Sequence, residues 1–302
     1  MTLDQIRSFY LVAKLGTYQK AADRLNATQP AISARVAALE TRLRTKLFDR
    51  TGHSVTLTPH GRRFLSYAEK MLELMNLAEI DLSRGHEIGG VFRIGASDTM
   101  IMSWVPEFLL ELGNIFPELI VELQVGPSPR LRDELIAHEL DMAFIVGPVT
   151  APELISQPIC ECPMVLTAAP ELGLHGKKLK LEELERFNML TFERKTQPHQ
   201  KLKRDLRARG VSARLNPISS LATGVLLATK GFGIAALPLV AVEDEIAAGR
   251  LMLLDSELEL SAIQFSICYC DGPDAVLASR VVDAALDHLR ARESRESINI
   301  SF

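Results

Sequence analysis

The chain is short of the features that would commit it to a membrane, an oxidising compartment or a familiar catalytic centre. No apolar run reaches the roughly 18 residues of a membrane span. The first residues lack the charged-then-apolar pattern of a signal peptide, so a cytoplasmic protein without a membrane partner is expected. Four cysteines in 302 residues do not make a disulfide scaffold. There is no GxGxxG, no Walker A loop and no G-x-S-x-G elbow. His60, His86, His138, His175 and His199 are scattered, with no nucleophile and acid gathered around them, so neither an enzyme nor a cofactor is expected. What is present fits a soluble globular chain, 47% hydrophobic and 24% charged, long enough for a small domain plus a larger one.

Charge is unevenly spread. Residues 1–63 hold 11 Lys and Arg against 4 Asp and Glu, whereas the remainder holds 23 against 34. A basic head on an acidic body suggests that the head alone meets a polyanion.

In that head, Leu3, Ile6, Tyr10 and Ala13 mark a first helix that stops at Gly16. Thr17 caps a second, "TYQKAADRL", which turns at Asn26–Ala27. A third helix follows almost at once in "TQPAISARVAALETRL". Its core stripe is Ile32, Val36, Leu39 and Leu43; Thr28 is its cap and Pro30 lies in its first turn. Opposite the stripe stand Pro30, Ala31, Ala34, Ala37, Ala38 and Thr41. A solvated face should carry long charged residues, whereas a face this bare suits close approach to another surface. Two helices joined by so short a turn form a helix-turn-helix, whose second helix lies in the DNA major groove. Gln29, Ser33 and Arg35 flank the bare face and can reach bases or phosphates. "KLFDRTGHSVTLT" then reads as strand, turn and strand, a wing with its turn at Thr51–Gly52 and Arg50 as a phosphate contact at its base.

"AADRLNATQPAISARVAALE", "LFDR" and "LTPHG", in that order and spacing, resemble the winged helix-turn-helix of LysR-type transcriptional regulators. The resemblance implies that Thr28, Gln29, Pro30, Ala31, Ser33, Arg35 and Arg50 face double-stranded promoter DNA. Ala34 departs from the family, which often carries a basic residue there, so Arg35 is the expected phosphate ligand.

After the head (1–58), residues 59–88 contain no helix breaker between Gly61 and Gly85. Phe64, Ala68, Met71, Met75, Ala78 and Leu82 step alternately by four and three, a heptad seam. Such a helix either pairs with a copy of itself or packs on its own body. The resemblance implies the former, with a dimer and further a tetramer presenting paired heads to a two-fold site.

From 89 to 302 strands and helices alternate, the pattern of an α/β domain. "VFRIGAS", "IVELQV", "DMAFIV", "MVLTAA", "NMLTF", "GIAALP" and "QFSICYC" read as strands. Ligands of such sheets sit beyond the strand ends, at helix N-termini. Ser97, Thr99, Ser128, Thr196, Ser219 and Ser220 supply hydroxyls at four helix starts, Ser128 as an N-cap with Pro129 at N1. Each is either a simple cap or a ligand group. "LQVGPSPRLRDELIAHELDMAFIVGP" and "LLATKGFGIAALP" are similar to the effector-binding part of the same family. That implies a periplasmic-binding-protein-like (type II) fold of two α/β subdomains, at about 90–162 with 266–302 and about 163–265, behind the mainly α head and linker helix. Ser97, Thr99, Ser128, Phe192, Ser219 and Ser220 would line the cleft between them. Helix N-termini and hydroxyls favour a small organic acid or other anion as effector. Arg130, Arg194 and Lys195 could add charge, and Asp98 would oppose an anion or pair with an amine.

Cys160 with Cys162, and Cys268 with Cys270, each put two sulfurs on one face of a strand. If those strands pair, four thiols could meet and bind a soft metal or oxidise. The alternative is buried cysteines used as small apolar residues, and no metal site is assigned. The body alone would suit a solute-binding protein, against which the head argues.

Overall fold

A computed structural model of the chain describes residues 1–49, 55–82, 89–272 and 275–299. The head opens with α1 (Leu3–Leu15), started by a capping box between Thr2 and Gln5 and ended by Gly16 at φ 74°, a left-handed position that costs glycine little. α2 (Tyr18–Arg24) is capped by Thr17. Asn26, also at positive φ, turns the chain into α3 (Gln29–Leu43), where the Thr28 hydroxyl accepts from the Ala31 N–H. Ile32, Val36 and Leu39 are buried against Phe9, Val12 and Ala21 in a single core. β1 (Phe48–Asp49) and β2 (Thr56–Leu57) pair antiparallel as the base of the wing. The turn read at Thr51–Gly52, and Arg50, lie outside the described residues.

One buried carboxylate ties α3 to the wing. Glu40 accepts from the Leu47 and Phe48 N–H groups at 2.9 and 3.2 Å and from Lys46 Nζ at 2.7 Å. Burial alone would raise its pKa. The bonds from Lys46, Leu47 and Phe48, with the lysine charge, outweigh that and hold the carboxyl below its ordinary value. The glycine of "LTPHG" is explained nearby: a Cβ on Gly61 would stand 2.0 Å from the Leu47 carbonyl oxygen.

α4 (Pro59–Leu82) carries the linker. The expected seam divides. Ala68 is fully buried in the head core, and Phe64 and Met71 pack on that core with Leu65. α4 is further tied to α1 by Lys14–Glu69 at 3.0 Å and Arg7–Asn76 at 3.3 Å. Tyr67 and Leu74 are instead exposed, as is Ala78. The exposed apolar residues are therefore Tyr67, Leu74 and Ala78, of which Ala78 belongs to the stripe read in the sequence, while Phe64, Ala68 and Met71 of that stripe are taken up by the head core. Residues 83–88 are outside the described residues.

The body contains two five-stranded sheets. The first half runs β3 (Gly90–Ala96), α5 (Asp98–Ile101), α6 (Val105–Ile115), β4 (Leu119–Val125), α7 (Ser128–Ile136), β5 (Met142–Val146) and β6 (Leu154–Cys162). The second continues β7 (Met164–Ala168), β8 (Lys178–Leu179), β9 (Asn188–Phe192), α8 (Gln197–Ala208), β10 (Arg214–Ile218), α9 (Leu221–Thr229), β11 (Ile234–Pro238), α10 (Glu243–Ala247), β12 (Met252–Leu253) and β13 (Asp255–Ser256). The chain then returns through β14 (Ile263–Cys270) and ends in α11 (Ala275–Asn299). The strand orders are β4-β3-β5-β14-β6 and β10-β9-β11-β7-β12.

β10 is not among the strands read from the sequence, and of β6 only the end that carries Cys160 and Cys162 is read there as strand. Both contain a proline, Pro158 and Pro217, which argues against a central strand. Both are edge strands, where a missing N–H is tolerated. Crossing between sheets is abrupt, with Pro163 alone between β6 and β7. β14 lies antiparallel beside β6, with Ile263 opposite Cys162 and Phe265 opposite Cys160. That register corrects the four-thiol expectation. Cys160 and Cys162 pack with the Trp104–Phe108 core on one face of the sheet, while Cys268 and Cys270 pack with Leu131 and Leu135 on the other. All four are free, and desolvation pushes Cys162 and Cys270 up to about 11, so the thiols stay protonated at neutral pH.

Head and body meet. Arg24, at the end of α2, forms an ion pair with Asp141, just before β5. Asp141 also accepts the Arg93 N–H of β3 at 2.7 Å.

Replacing Glu40 with Gln is expected to cost the head about 1–3 kcal/mol, because a charge-assisted acceptor for two buried N–H groups is lost. The pH dependence has a fixed sign. A carboxyl lowered on folding contributes fully above its unfolded pKa and loses that contribution as pH falls through the folded one. Chemical denaturation of wild type and variant should therefore converge in acid and differ most near neutrality.

Candidate nucleic-acid interface and ligand cleft

On α3, the stripe facing the core is buried and the bare face looks outward. Gln29, Pro30, Ala34, Ala38 and Thr41 are exposed; Ala31, Ser33 and Arg35 are half-buried at its margin. Thr41 returns its hydroxyl to the Ala37 carbonyl at 2.9 Å, so even its polar group is turned to the helix backbone. The result is a helix surface with little side-chain bulk, flanked by Gln29, Ser33 and Arg35, which suits insertion into a groove about 12 Å wide. Ala34 stays small where a longer residue was anticipated, leaving Arg35 as the basic residue on this part of the helix.

In the body, a cavity of about 440 Å³ lies between the two sheets. Ser97, Thr99, Ser128, Phe192, Thr196, Ser219 and Ser220 all line it, and Ile263 and Phe265 of β14 contribute to its wall. The strands explain the convergence. β3, β4 and β5 run parallel, so the segments that follow them open on the same side, and β9 and β10 do the same in the second sheet.

The hydroxyls divide between capping and other bonds. Ser128 is not the N-cap of α7. Pro127 holds that position, and its carbonyl takes the Arg130 and Leu131 N–H groups. Ser128 Oγ is thereby released to accept from the Val146 N–H of β5 at 3.0 Å, leaving its own proton to donate. Thr196 stands at the start of α8 without capping it and donates to the Glu193 carbonyl at 2.7 Å. Ser220 does cap α9, accepting from Thr223 N–H at 3.4 Å. Ser97 precedes α5 but makes no cap bond; its Oγ is buried and has no hydrogen-bond partner among the described residues.

Of the three basic residues considered, Lys195 lines the cavity. Arg130 is paired with Glu134 at 2.8 Å and lies on an adjoining groove. Arg194 is not among the lining residues. Arg132, which sequence reasoning did not single out, lines the cavity while paired with Asp133. The orientation of Asp98, open in the sequence, is resolved: it lines the cavity. Desolvation raises its pKa, although the backbone N–H of Leu221, at the start of α9 in the other half of the body, favours the charged form. Sequence reasoning also missed Gly147-Pro148-Val149-Thr150, the turn after β5, and Thr191 and Glu193 beside Phe192. The signal available for the turn was its position at a strand end, the same signal that located Ser97.

Comparison with known proteins follows these two regions. A family model described as LysR substrate binding domain matches residues 85–292, and one described as bacterial regulatory helix-turn-helix protein, lysR family, matches residues 3–62. The HTH-type transcriptional regulator GltR of Bacillus subtilis (strain 168) is 29% identical over 256 residues, covering 83% of this chain and 84% of that protein. The HTH-type transcriptional regulator CzcR of Bacillus anthracis is 31% identical over 255 residues, covering 83% and 85%. Among solved structures, a full-length OxyR variant from Pseudomonas aeruginosa superposes with a TM-score of 0.65 at 22% identity, covering 96% of this chain and 95% of that one. This last likeness is one of fold.

The two serines should behave oppositely in the absence of any added ligand. Ser97→Ala removes a buried hydroxyl that bonds nothing and is expected to leave thermal stability unchanged or slightly raised. Ser128→Ala strips the Val146 N–H of its acceptor and should cost about 0.5–1.5 kcal/mol. Denaturant unfolding of both variants checks the assignment.

Proposed function

The chain belongs to the LysR-type transcriptional regulators, DNA-binding proteins with an effector-binding domain, and on that premise we propose how its residues divide the work. α3 enters the major groove with Pro30, Ala31 and Ala34 towards the DNA. Thr28, Gln29, Ser33 and Arg35 contact bases and phosphates, and Arg50 contacts a phosphate from the wing. The basic balance of residues 1–63 supports the reading, since phosphate neutralisation supplies much of such affinity. The observation that carries it is the outward face of α3, free of bulky side chains and bordered by polar ones.

The protein acts in the cytoplasm; among the described residues no helix is long and apolar enough to cross a membrane. It works as a dimer or tetramer, with Tyr67, Leu74 and Ala78 of α4 facing the same residues of a second copy. An exposed Leu74, 67% accessible, supports a partner there, and pairing would place two heads on a two-fold site. A small organic acid or other carboxylate-bearing metabolite enters the cleft at Ser97, Thr99, Ser128, Phe192, Thr196, Ser219 and Ser220. It changes the balance between arrangements of the two sheets, by its differential affinity for them. β3 and β5 carry that change, because each runs from the Arg93–Asp141–Arg24 contact with the head to the cleft.

Selection of bound duplexes from a random pool tests the DNA reading. Wild type is expected to enrich two-fold-related half-sites. Arg35→Ala, correctly folded, should lose about 1–3 kcal/mol on the enriched duplex; unchanged affinity at physiological salt would remove α3 from the groove.

Leu74→Glu should dissociate the α4 pair and leave the head folded, because Leu74 is not part of the head core. Sedimentation velocity reads the outcome, and an unaltered assembly would place the contact elsewhere.

A further inference from the structure

Asp98 is out of keeping with a cleft built only for anions. Its carboxylate lines the cavity beside Ser97. It stands at the first position of α5, and the groups that favour its charge are backbone N–H groups, at Leu221 and at Asp98 itself. It forms no ion pair among the described residues, in contrast to Arg132, paired with Asp133, and Arg24, paired with Asp141. A carboxylate partly withdrawn from water and without a cation is poorly compensated, and a simple anion placed next to it would worsen the balance.

The rest of the cavity holds donors. Ser97 lines the same cavity and is more than nine-tenths buried, and its Oγ has no hydrogen-bond partner among the described residues. Ser128 retains its hydroxyl proton while accepting from Val146. Gln197, at the first turn of α8, and Lys195 lie on the opposite wall. The cavity thus has two carboxylates without an ion pair among the described residues, Asp98 on the wall of the first sheet and Glu193 on that of the second, together with several unspent donors, a distribution complementary to a ligand with separate positive and negative ends.

We propose that Asp98 is the specificity-determining residue of this cleft and that it selects an effector bearing a protonated amine as well as a carboxylate, a zwitterionic amino acid rather than a simple organic acid. The ammonium pairs with Asp98, and the carboxylate is bound by the hydroxyls of Ser97 and Ser128 and by the donors about the start of α8. Leu221 N–H, which favours the charged form of Asp98 from the other half of the body, makes amine recognition depend on both halves being in place. The inference rests on the cleft being the effector site.

Four matched pairs of probes test it on the full-length chain: L-alanine with propionate, L-glutamate with glutarate, L-norleucine with hexanoate, and L-phenylalanine with 3-phenylpropionate. Binding is read by isothermal calorimetry. At least one amino acid is expected to bind tenfold or more tightly than its deaminated twin, and Asp98→Asn should reduce that ratio towards one by weakening the amino acid alone. Ser128→Trp should abolish binding of both twins by filling the cavity.

If Ser128→Trp leaves binding of the probe intact, the ligand sits elsewhere and the cleft reading itself falls. If Ser128→Trp blocks binding but Asp98→Asn weakens both members of a pair equally, Asp98 only braces α9 and the selectivity claim is overturned. Tighter binding of every deaminated twin, or binding by none of the four amino acids, overturns it as well.

Discussion

The antiparallel pairing of β6 with β14 is the constraint on which the body depends. Both strands belong to the first sheet, yet β6 leads directly into the second through Pro163, and β14 begins where the chain returns. Because Ile263 stands opposite Cys162, outgoing and returning chain lie side by side, and the two sheets are joined over a narrow span. The space between them becomes the cavity, walled in part by Ile263 and Phe265.

The head is organised by a different device. Its helices are capped by Thr2, Thr17 and Thr28 and packed on one core, while Glu40 gathers the first residues of the wing to the end of α3. Burying a carboxylate is costly unless its oxygens are filled. Here they receive two backbone N–H groups and a lysine. The wing is therefore set relative to the groove-facing helix by a polar contact inside an otherwise apolar core.

Head and body are joined by chemistry as well as by the chain. Asp141 receives Arg24 from α2 and the Arg93 N–H from β3. Both β3 and β5 run from this point to residues of the cavity, to Ser97 and Asp98 in one case and to Val146 and Gly147 in the other. The distance is the second half of β3 from Arg93 to Ala96 in one case and the five residues of β5 in the other.

Much of this was legible in the chain because it depends on local rules. The three head helices follow from their caps and from the stripe Ile32, Val36 and Leu39. The seven strands read in the body follow from apolar runs bounded by breakers, and the hydroxyls of the cleft from their place at strand ends. What tertiary structure decided lies where one residue answers to two partners. Pro158 and Pro217 look like strand breakers until the sheets place them on edges. Ser128 looks like a cap until Pro127 takes that position and Val146 comes within reach. The heptad of α4 is regular in sequence, but the head core takes up half of it. Cys160 and Cys268 share a pattern, and only the register and the faces of the sheet keep them apart. Asp98 could not be oriented from its neighbours, because the N–H that favours its charge belongs to Leu221, more than a hundred residues away and in the other half of the body. Periodicity and capping are properties of a segment and are written in it; register, edge position and cross-cleft bonds are properties of pairs of segments and arise only when they meet.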